Sequence, residues 1–247
     1  MVTHPDPTLL YPDIAARGSL GAALQAAADE AGLSVSFTVS ESDPLTATSV
    51  VSRLPHRNPL GIGAAAVGRW WSIWGADSFQ GLAVIDGRTT DLIELARAAY
   101  AWHVGAALDE VHDAAPFVHL TGRFEVPDND PAQLAESEWR HLLTQARELE
   151  YAGAPAYRAL VEAAYSEPAL RALYPFTSHF SLRFSSATRP HLAVIPVSLN
   201  IGEDKGYEVS VPHMGGVVAE TATAQAAVST AVEYLPPRLG PVTPGIA

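Results

Sequence analysis

Three stretches of this chain alternate between apolar and polar residues, and this period of two constrains the fold more than any other feature. The stretches cover 34–40, 117–125 and 178–184. Successive side chains of a β-strand point to opposite faces of the sheet, so alternation indicates a strand with one buried and one hydrated face. Strands of this kind are typical of antiparallel sheets. The chain is therefore expected to contain antiparallel sheets, each with a polar face.

Segments with apolar residues at three- and four-residue steps surround these strands and predict helices. Ser19 and Asp91 occupy the N-cap positions of two helices, and Asp130, followed by a proline, begins a long third one. Two more helices are expected at 156–165 and 223–235. On the third helix, we expect the polar face to carry Glu136, Glu138, Arg140 and Glu148 in contact with solvent. Further strands are predicted at 48–54, 60–66, 69–74, 81–85, 116–126, 178–185, 192–201, 207–211 and 217–219.

The order helix, strands, helix occurs twice, which predicts an α+β fold of two similar lobes with mainly antiparallel strands. The first lobe covers 10–112, and the second covers 116–244 with an inserted pair of helices at 131–173. Shifting 81–100 by 134 positions places Gly81 on Gly215 and Thr89 on Thr223 without a gap. Internal duplication explains this match. The alternative is that alanine-rich amphipathic helices that follow a strand all look alike.

Charge and composition exclude several classes of function. The chain has 27 acidic and 15 basic residues, a net charge of −12, and no basic region that would attract nucleic acid or an anionic membrane. It contains no cysteine, which excludes disulfides, thiolate zinc sites and a cysteine nucleophile. No signal peptide and no apolar stretch long enough to span a bilayer is present, so the expected location is the cytoplasm.

The motifs that bind common cofactors are also missing. Gly61 and Gly63 lack the third glycine and the acidic ribose partner of a dinucleotide-binding loop. No Gly-x-Ser-x-Gly nucleophile elbow occurs. His103, His112 and His119 are nine and seven residues apart, which is not the close spacing of zinc ligands. We therefore expect no metal and no cofactor.

Three tryptophans, Trp70, Trp71 and Trp74, lie close together, and in a strand Trp70 and Trp74 share one face while Trp71 takes the other. Packing in the core and between domains is the common use of such residues. The other interpretation is a ligand platform, for which Trp74 is the candidate.

Two polar strand faces supply the remaining candidate site residues. Each presents a histidine and an arginine four residues apart, about 13 Å along the strand. If both faces line one cleft, a proton carrier and an anion-binding group are available twice. The alternative is a hydrated face with salt bridges such as Arg123 to Glu125 or Asp128. The residues of these faces are His119, Thr121, Arg123 and Glu125 in the first, and His179, Ser181 and Arg183 in the second.

Several segments resemble a family of actinobacterial proteins labelled "natural product biosynthesis protein", domain-of-unknown-function family 6193. They are AAPF at 114–117, LTGRFEVPD at 120–128, LYPFTSH at 173–179, LRFS at 182–185 and LGPVT at 239–243. The resemblance runs from about Leu10 to Thr243. It implies a role near secondary-metabolite pathways, including antibiotic biosynthesis, and it transfers no site residue.

Two functions fit these observations. The first is a cofactor-independent isomerase, cyclase or lyase that acts on a small anionic or peptide-like pathway intermediate by acid–base catalysis. Its catalytic residues would be His179 and Glu125, and its substrate-binding residues Arg183, Arg123, His119, Ser181 and Trp74. The second is a protein-binding or immunity-type module that captures a partner on acidic surfaces at 41–43, 109–113 and 136–148. The sequence leaves open whether the protein forms a homodimer. An enclosed pocket favours the enzyme, and a flat acidic patch favours the binding module.

Overall fold

A computed structural model of the protein describes residues 5–151, 153–178, 181–202, 206–211 and 216–246. The chain forms two compact units, unit 1 at Met1–Thr121 and unit 2 at Gly122–Ala247. Both units combine helices with antiparallel strands, so the fold class is α+β, as the sequence predicts.

Unit 1 contains a six-stranded antiparallel sheet whose strands follow one another in chain order. Its helices are α1 (Pro7–Leu10), α2 (Pro12–Ala16), α3 (Leu20–Glu30), α4 (Leu92–Val104) and α5 (Leu108–Ala114). Its strands are β1 (Thr38–Val39), β2 (Ala47–Val50), β3 (Leu60–Ala64), β4 (Trp71–Ala76), β5 (Ala83–Thr89) and β6 (Val118–Leu120).

The helices of unit 1 begin where the sequence predicts, because their caps are local. The Ser19 hydroxyl accepts a hydrogen bond from the Ala22 amide at 3.0 Å, and the Asp91 carboxylate accepts one from the Ile93 amide at 2.7 Å. Helices α3 and α4 pack against each other and against one face of the sheet. The core between them includes Leu24, Trp102 and Ile73. The opposite face of the sheet is the outer face.

A single tyrosine ties the N-terminal helices of unit 1 to the loop between β3 and β4. The Tyr11 hydroxyl is buried and lies 2.8, 2.9 and 3.0 Å from the carbonyl oxygens of Ala65, Gly68 and Trp70. Arg69 of the same loop forms an ion pair with Asp13 at 2.7 Å. These contacts hold the loop at 65–70 in one position.

Unit 2 contains a five-stranded antiparallel sheet with the order β12-β11-β10-β8-β7. A short parallel pair joins β9 and β13. The helices are α6 (Pro131–Glu148), α7 (Ala154–Ser166), α8 (Pro168–Arg171) and α9 (Ala224–Glu233). The strands are β7 (Tyr174–Ser178), β8 (Ser181–Ser185), β9 (Ala187–Pro190), β10 (Val194–Ile201), β11 (Tyr207–Val211), β12 (Gly216–Thr221) and β13 (Thr243–Gly245). Its core, centred on Trp139, Leu160 and Leu199, lies between the helices and one face of this sheet.

Two of the alternating stretches form much shorter strands than predicted. Only Thr38–Val39 of the stretch 34–40 pairs in the sheet, and only Val118–Leu120 of 117–125 does so. The second strand ends because Gly122 has a φ of +85° and packs tightly on α6, where an added Cβ would lie 2.7 Å from the Thr144 Cβ. Thr121 is buried and its hydroxyl donates to the Ala83 carbonyl at 2.9 Å. The prediction that it shares a polar face with His119 is wrong.

The third stretch, predicted as one strand over 178–185, is a hairpin. Strand β7 ends at Ser178, which pairs with Ser181 at the start of β8. Strand β7 was missed because it follows a helix directly and contains Pro175, a residue that a sheet accepts mainly at its edge. His179 and Phe180 lie outside the described residues.

The internal duplication is not confirmed. Helices α4 and α9 each pack beside an earlier helix, α3 or α7. They begin at residues 92 and 224, however, 132 positions apart rather than 134. Gly215, one of the aligned positions, lies outside the described residues.

Candidate functional site

The outer face of the sheet in unit 1 brings together two of the predicted site residues. Trp74 on β4 pairs with Asp86 on β5, and Asp86 pairs with His119 on β6. Directly paired residues of antiparallel strands point to the same face, so the three side chains form a row across the sheet. Ser72 and Arg88 form the neighbouring row. We call these five residues the Trp74 face.

Trp74 is the large apolar side chain of this face, and half of its surface (50%) is exposed. Its neighbour Trp71 points the other way into the core, as the alternation predicts. On β3, the residues at the outer face are Gly61, which pairs with Trp74, and Gly63. Because glycine has no side chain, β3 does not cover the indole. A ligand can therefore approach Trp74 along the sheet.

Asp86 and His119 form a direct contact, with 3.2 Å between Asp86 Oδ1 and His119 Nδ1. An ionised carboxylate only accepts hydrogen bonds, so Nδ1 is the donor in this contact. The side chains are 52% and 43% exposed, so water screens the interaction and it contributes little to stability. Asp86 thus orients the imidazole of His119 at the surface of the sheet.

An open depression of about 520 Å³ lies beside this pair. Its lining includes Ser72, Asp86, Arg88 and His119 of the Trp74 face. The Arg88 guanidinium lies 4.7 Å from the ring centre of Trp70, a cation–π geometry that fixes its position. The depression therefore contains an acid, a base and a cation close to an exposed indole.

Arg123, predicted to bind substrate, instead forms a buried ion pair with Glu138 of α6. The distances are 2.7 Å from Nε to Oε2 and 2.9 Å from Nη2 to Oε1, so both carboxylate oxygens accept from the guanidinium. The side chains are only 11% and 7% exposed. The predicted salt-bridge partners, Glu125 and Asp128, are not the residues in this pair. Glu125 itself is half-buried in the segment between β6 and α6.

Glu136 is also bound internally, which corrects part of the predicted hydrated face on α6, although Arg140 and Glu148 are exposed as predicted. It accepts hydrogen bonds from the Tyr165 hydroxyl at 2.8 Å and from Arg140 and Arg171 at 3.3 Å. Burial opposes its ionisation, but these hydrogen bonds and the positive charges outweigh that cost and lower the pKa of Glu136. Because Glu138 is buried as well, neither residue supplies the acidic surface expected at 136–148.

Ser181 and Arg183 lie on the face of the unit 2 sheet that is opposite Leu182 and Phe184 of the core, and we call this the outer face of that sheet. Leu182 and Phe184 are buried on the opposite face, which confirms the predicted alternation for this part of the segment. His179, the predicted proton carrier, lies outside the described residues. The structure therefore groups Trp74 with His119 in unit 1, and Ser181 with Arg183 in unit 2.

Sequence reasoning missed Asp86, Arg88 and Glu138. The signal for the first two was present, since Asp86 and Arg88 alternate with Ile85 and Gly87, but the predicted strand ended at Ile85. Glu138 carried no such signal, because its partner lies 15 residues earlier, before the helix begins.

The described part of the chain offers neither a metal site nor a membrane-spanning helix. No group of three or more histidine and carboxylate side chains there could hold a metal ion. None of its helices is long and apolar enough to cross a membrane.

The fold is that of a two-unit α+β protein, and part of its sequence is similar to a known family. A family model described as "Family of unknown function (DUF6193)" matches residues 133–246, most of unit 2 and less than half of the chain. The resemblance to domain-of-unknown-function family 6193 is thus supported over this region. No curated protein and no solved structure is significantly similar to the chain.

Proposed function

We propose that the protein is a binding module whose Trp74 face binds a basic segment of a partner protein. The observation that carries this proposal is the direct pairing of Trp74 with Asp86, both half-exposed. A lysine or arginine side chain stacked on the indole would make a cation–π contact and an ion pair with the carboxylate together.

Shape and charge support the same proposal. The depression beside Asp86 and His119 is open, whereas substrates of enzymes usually bind in enclosed pockets. Exposed tryptophan is a common anchor of protein interfaces. Unit 1 carries 13 acidic and six basic residues, a net charge of −7, which attracts a basic partner and speeds its association.

A peptide library displayed on phage tests this function. We expect the protein to enrich ten-residue peptides rich in lysine and arginine, and the best of them to bind with a dissociation constant measurable by fluorescence anisotropy. Trp74→Ala and Asp86→Asn should each weaken binding about tenfold, the effect of losing one charged or cation–π contact.

Glu30→Gln is the matched control, because it removes one negative charge from an exposed position of α3 in the same unit. It should change the affinity less than about twofold, as long-range attraction alone is weak at physiological salt. Enriched peptides without basic residues, or an equal loss in Glu30→Gln and Asp86→Asn, would contradict the proposal.

A second function, a cofactor-independent enzyme, is favoured by the Asp86–His119 contact. A carboxylate that orients an imidazole is the usual arrangement of a general base. In this role His119 would transfer the proton, Asp86 would orient its ring, and Arg88 would bind an anionic group. The resemblance to natural-product proteins suggests an isomerase, cyclase or lyase acting in the cytoplasm on a small anionic or peptide-like intermediate. His179 and Glu125 remain candidate proton carriers.

The enzyme proposal is tested with a metabolite extract of an actinobacterium, incubated with purified protein and followed by liquid chromatography and mass spectrometry. Compounds that the natural protein consumes should persist with His119→Gln. They should still be consumed with His191→Gln, which changes an exposed histidine of unit 2. Equal consumption by both variants would exclude His119 as the proton carrier. If neither the natural protein nor a variant consumes any compound, the enzyme proposal is contradicted and only the binding function is left.

A further inference from the structure

Unit 2 contains a half-buried guanidinium that no carboxylate neutralises among the residues that the structure describes. Arg183 lies in the middle of β8 on the outer face. Its guanidinium lies over the Phe176 ring, whose centre is 5.5 Å from Cζ. Arg123 and Arg171 of the same unit are both paired with glutamates. Arg183 therefore differs from them in its environment.

Two hydroxyl groups lie beside this guanidinium. Ser198 of β10 is directly opposite Arg183 in the register, and Ser181 precedes Arg183 by two residues on the same face. Opposite residues in antiparallel strands have Cβ atoms about 4.5–5.5 Å apart, which is close enough to share one bound oxygen. Phe176 is opposite Arg183 on the other neighbouring strand, β7. The guanidinium thus lies next to an aromatic ring on β7 and next to serine hydroxyl groups on β8 and β10.

We propose that Arg183, with the hydroxyl groups of Ser181 and Ser198, binds a monocarboxylate. Burial removes part of the hydration of the guanidinium, and a bound carboxylate replaces it with charged hydrogen bonds. The planar fork of arginine matches the two oxygens of a carboxylate, and the contact with the Phe176 ring limits the positions of the guanidinium. The serine hydroxyls donate further hydrogen bonds to the same oxygens.

Charge on this face selects a monoanion over a dianion. Glu208 of β11 and Glu220 of β12 lie directly opposite each other in the same sheet, and unit 2 carries a net charge of −5. Because repulsion by these charges is about twice as large for a dianion, a phosphate monoester is disfavoured. This site lies in the other unit from the Trp74 face and takes a ligand of opposite charge, so it is independent of the function proposed above.

The test is a titration of the full chain with N-acetylglycine, followed through the Arg183 side-chain Nε resonance in ¹⁵N-labelled protein. We expect saturable binding in the millimolar range. N-acetylglycinamide, which lacks the carboxylate, should not shift the resonance, and inorganic phosphate should bind less tightly. Absence of saturation, or tighter binding of phosphate, overturns the proposal.

Variants locate the site, with binding now measured by ligand-observed NMR. Arg183→Gln should weaken N-acetylglycine binding about tenfold or more, the effect of losing a charged hydrogen bond. Ser198→Ala should weaken it about threefold through the loss of one neutral hydrogen bond. The control Arg238→Gln, at an exposed position of unit 2, should leave it unchanged. Unchanged binding in both single variants overturns the assignment. If Arg183→Gln does not fold, unchanged binding in Ser198→Ala overturns it alone.

Discussion

In each unit a residue predicted for the site, His119 or Arg123, contacts a carboxylate, and these two contacts differ in hydration. In unit 1, Asp86 and His119 are 3.2 Å apart and about half-exposed. In unit 2, Arg123 and Glu138 are joined by two hydrogen bonds and almost fully buried. A buried pair depends on both partners, since either one alone would be an uncompensated charge, whereas an exposed pair can exchange its partner for water or a ligand.

This difference separates a structural role from a functional one. Arg123 was predicted to bind substrate, but its fork is already occupied by Glu138 and fixes the chain to α6. The Asp86–His119 pair was predicted only in part, yet it remains accessible to a ligand. Variants that remove one side chain at a time measure this difference.

The largest effect is expected from Glu138→Ala. It leaves the Arg123 guanidinium buried without its carboxylate, which costs about 3–5 kcal/mol of unfolding free energy. Urea unfolding followed by circular dichroism measures the loss. The double variant Arg123→Met with Glu138→Leu should recover most of it, because no charge then remains buried. A loss below about 1 kcal/mol in Glu138→Ala would show that the pair is hydrated like the exposed one.

A buried contact without charge is expected to matter less. Tyr11→Phe removes the hydroxyl that faces three carbonyl oxygens and should cost about 0.5–1.5 kcal/mol, the net contribution of one hydrogen bond, because the Gly68 and Trp70 carbonyls keep their backbone donors. Thermal unfolding measures the shift. The control Tyr100→Phe changes a tyrosine of the same unit for which no such cluster of acceptors is present among the described residues. Equal shifts in both variants would contradict the role of the Tyr11 hydroxyl.

The dependence of stability on pH tests the partly buried contacts of Glu136 with Arg140, Arg171 and Tyr165. The pKa of Glu136 is lowered in the folded state, so the folded state favours the ionised form. This stabilisation is complete above the pKa of the unfolded chain and is lost as the pH falls through the lower folded pKa. Glu136→Gln should therefore lower the melting temperature at pH 7 and lower it less at pH 3, below the ordinary glutamate pKa of 4.5. A loss that is the same at both pH values would contradict this linkage.

The smallest effect is expected at the exposed pair. His119→Ala should change the unfolding free energy by about 0.5 kcal/mol or less, because the contact is screened by water. Urea unfolding under the conditions used for Glu138→Ala allows the two pairs to be compared directly. A loss above about 2 kcal/mol would mean that His119 is structural, and would remove the argument for a ligand at the Trp74 face.

The sequence was sufficient wherever the determining contacts are local. The caps at Ser19, Asp91 and Asp130 bind amides two or three residues away, and the helices begin there. Strand β11 occupies 207–211 as predicted. Alternation failed at 121–125, because the turn at Gly122 depends on packing against Thr144, and it gave no sign of the Arg123–Glu138 pair. For the site, alternation identified the outward residues Ser181 and Arg183, but the pairing of Trp74, Asp86 and His119 depends on strand register, which one sequence does not encode locally.

The Tyr11 hydroxyl has one proton and three carbonyl neighbours, so the proton can move among them by rotation of the C–O bond while the heavy atoms stay in place. Because this one side chain joins the N-terminal helices to the segment 65–70, we expect both to open together, as one cooperative unit in hydrogen exchange. Amides on both sides of the tyrosine, such as those of Ala15 and Trp70, which donate to the carbonyls of Tyr11 and Gly68, should share one opening free energy. The first turns of the chain thus set the lifetime of the loop that carries Trp70, the residue on which Arg88 stacks.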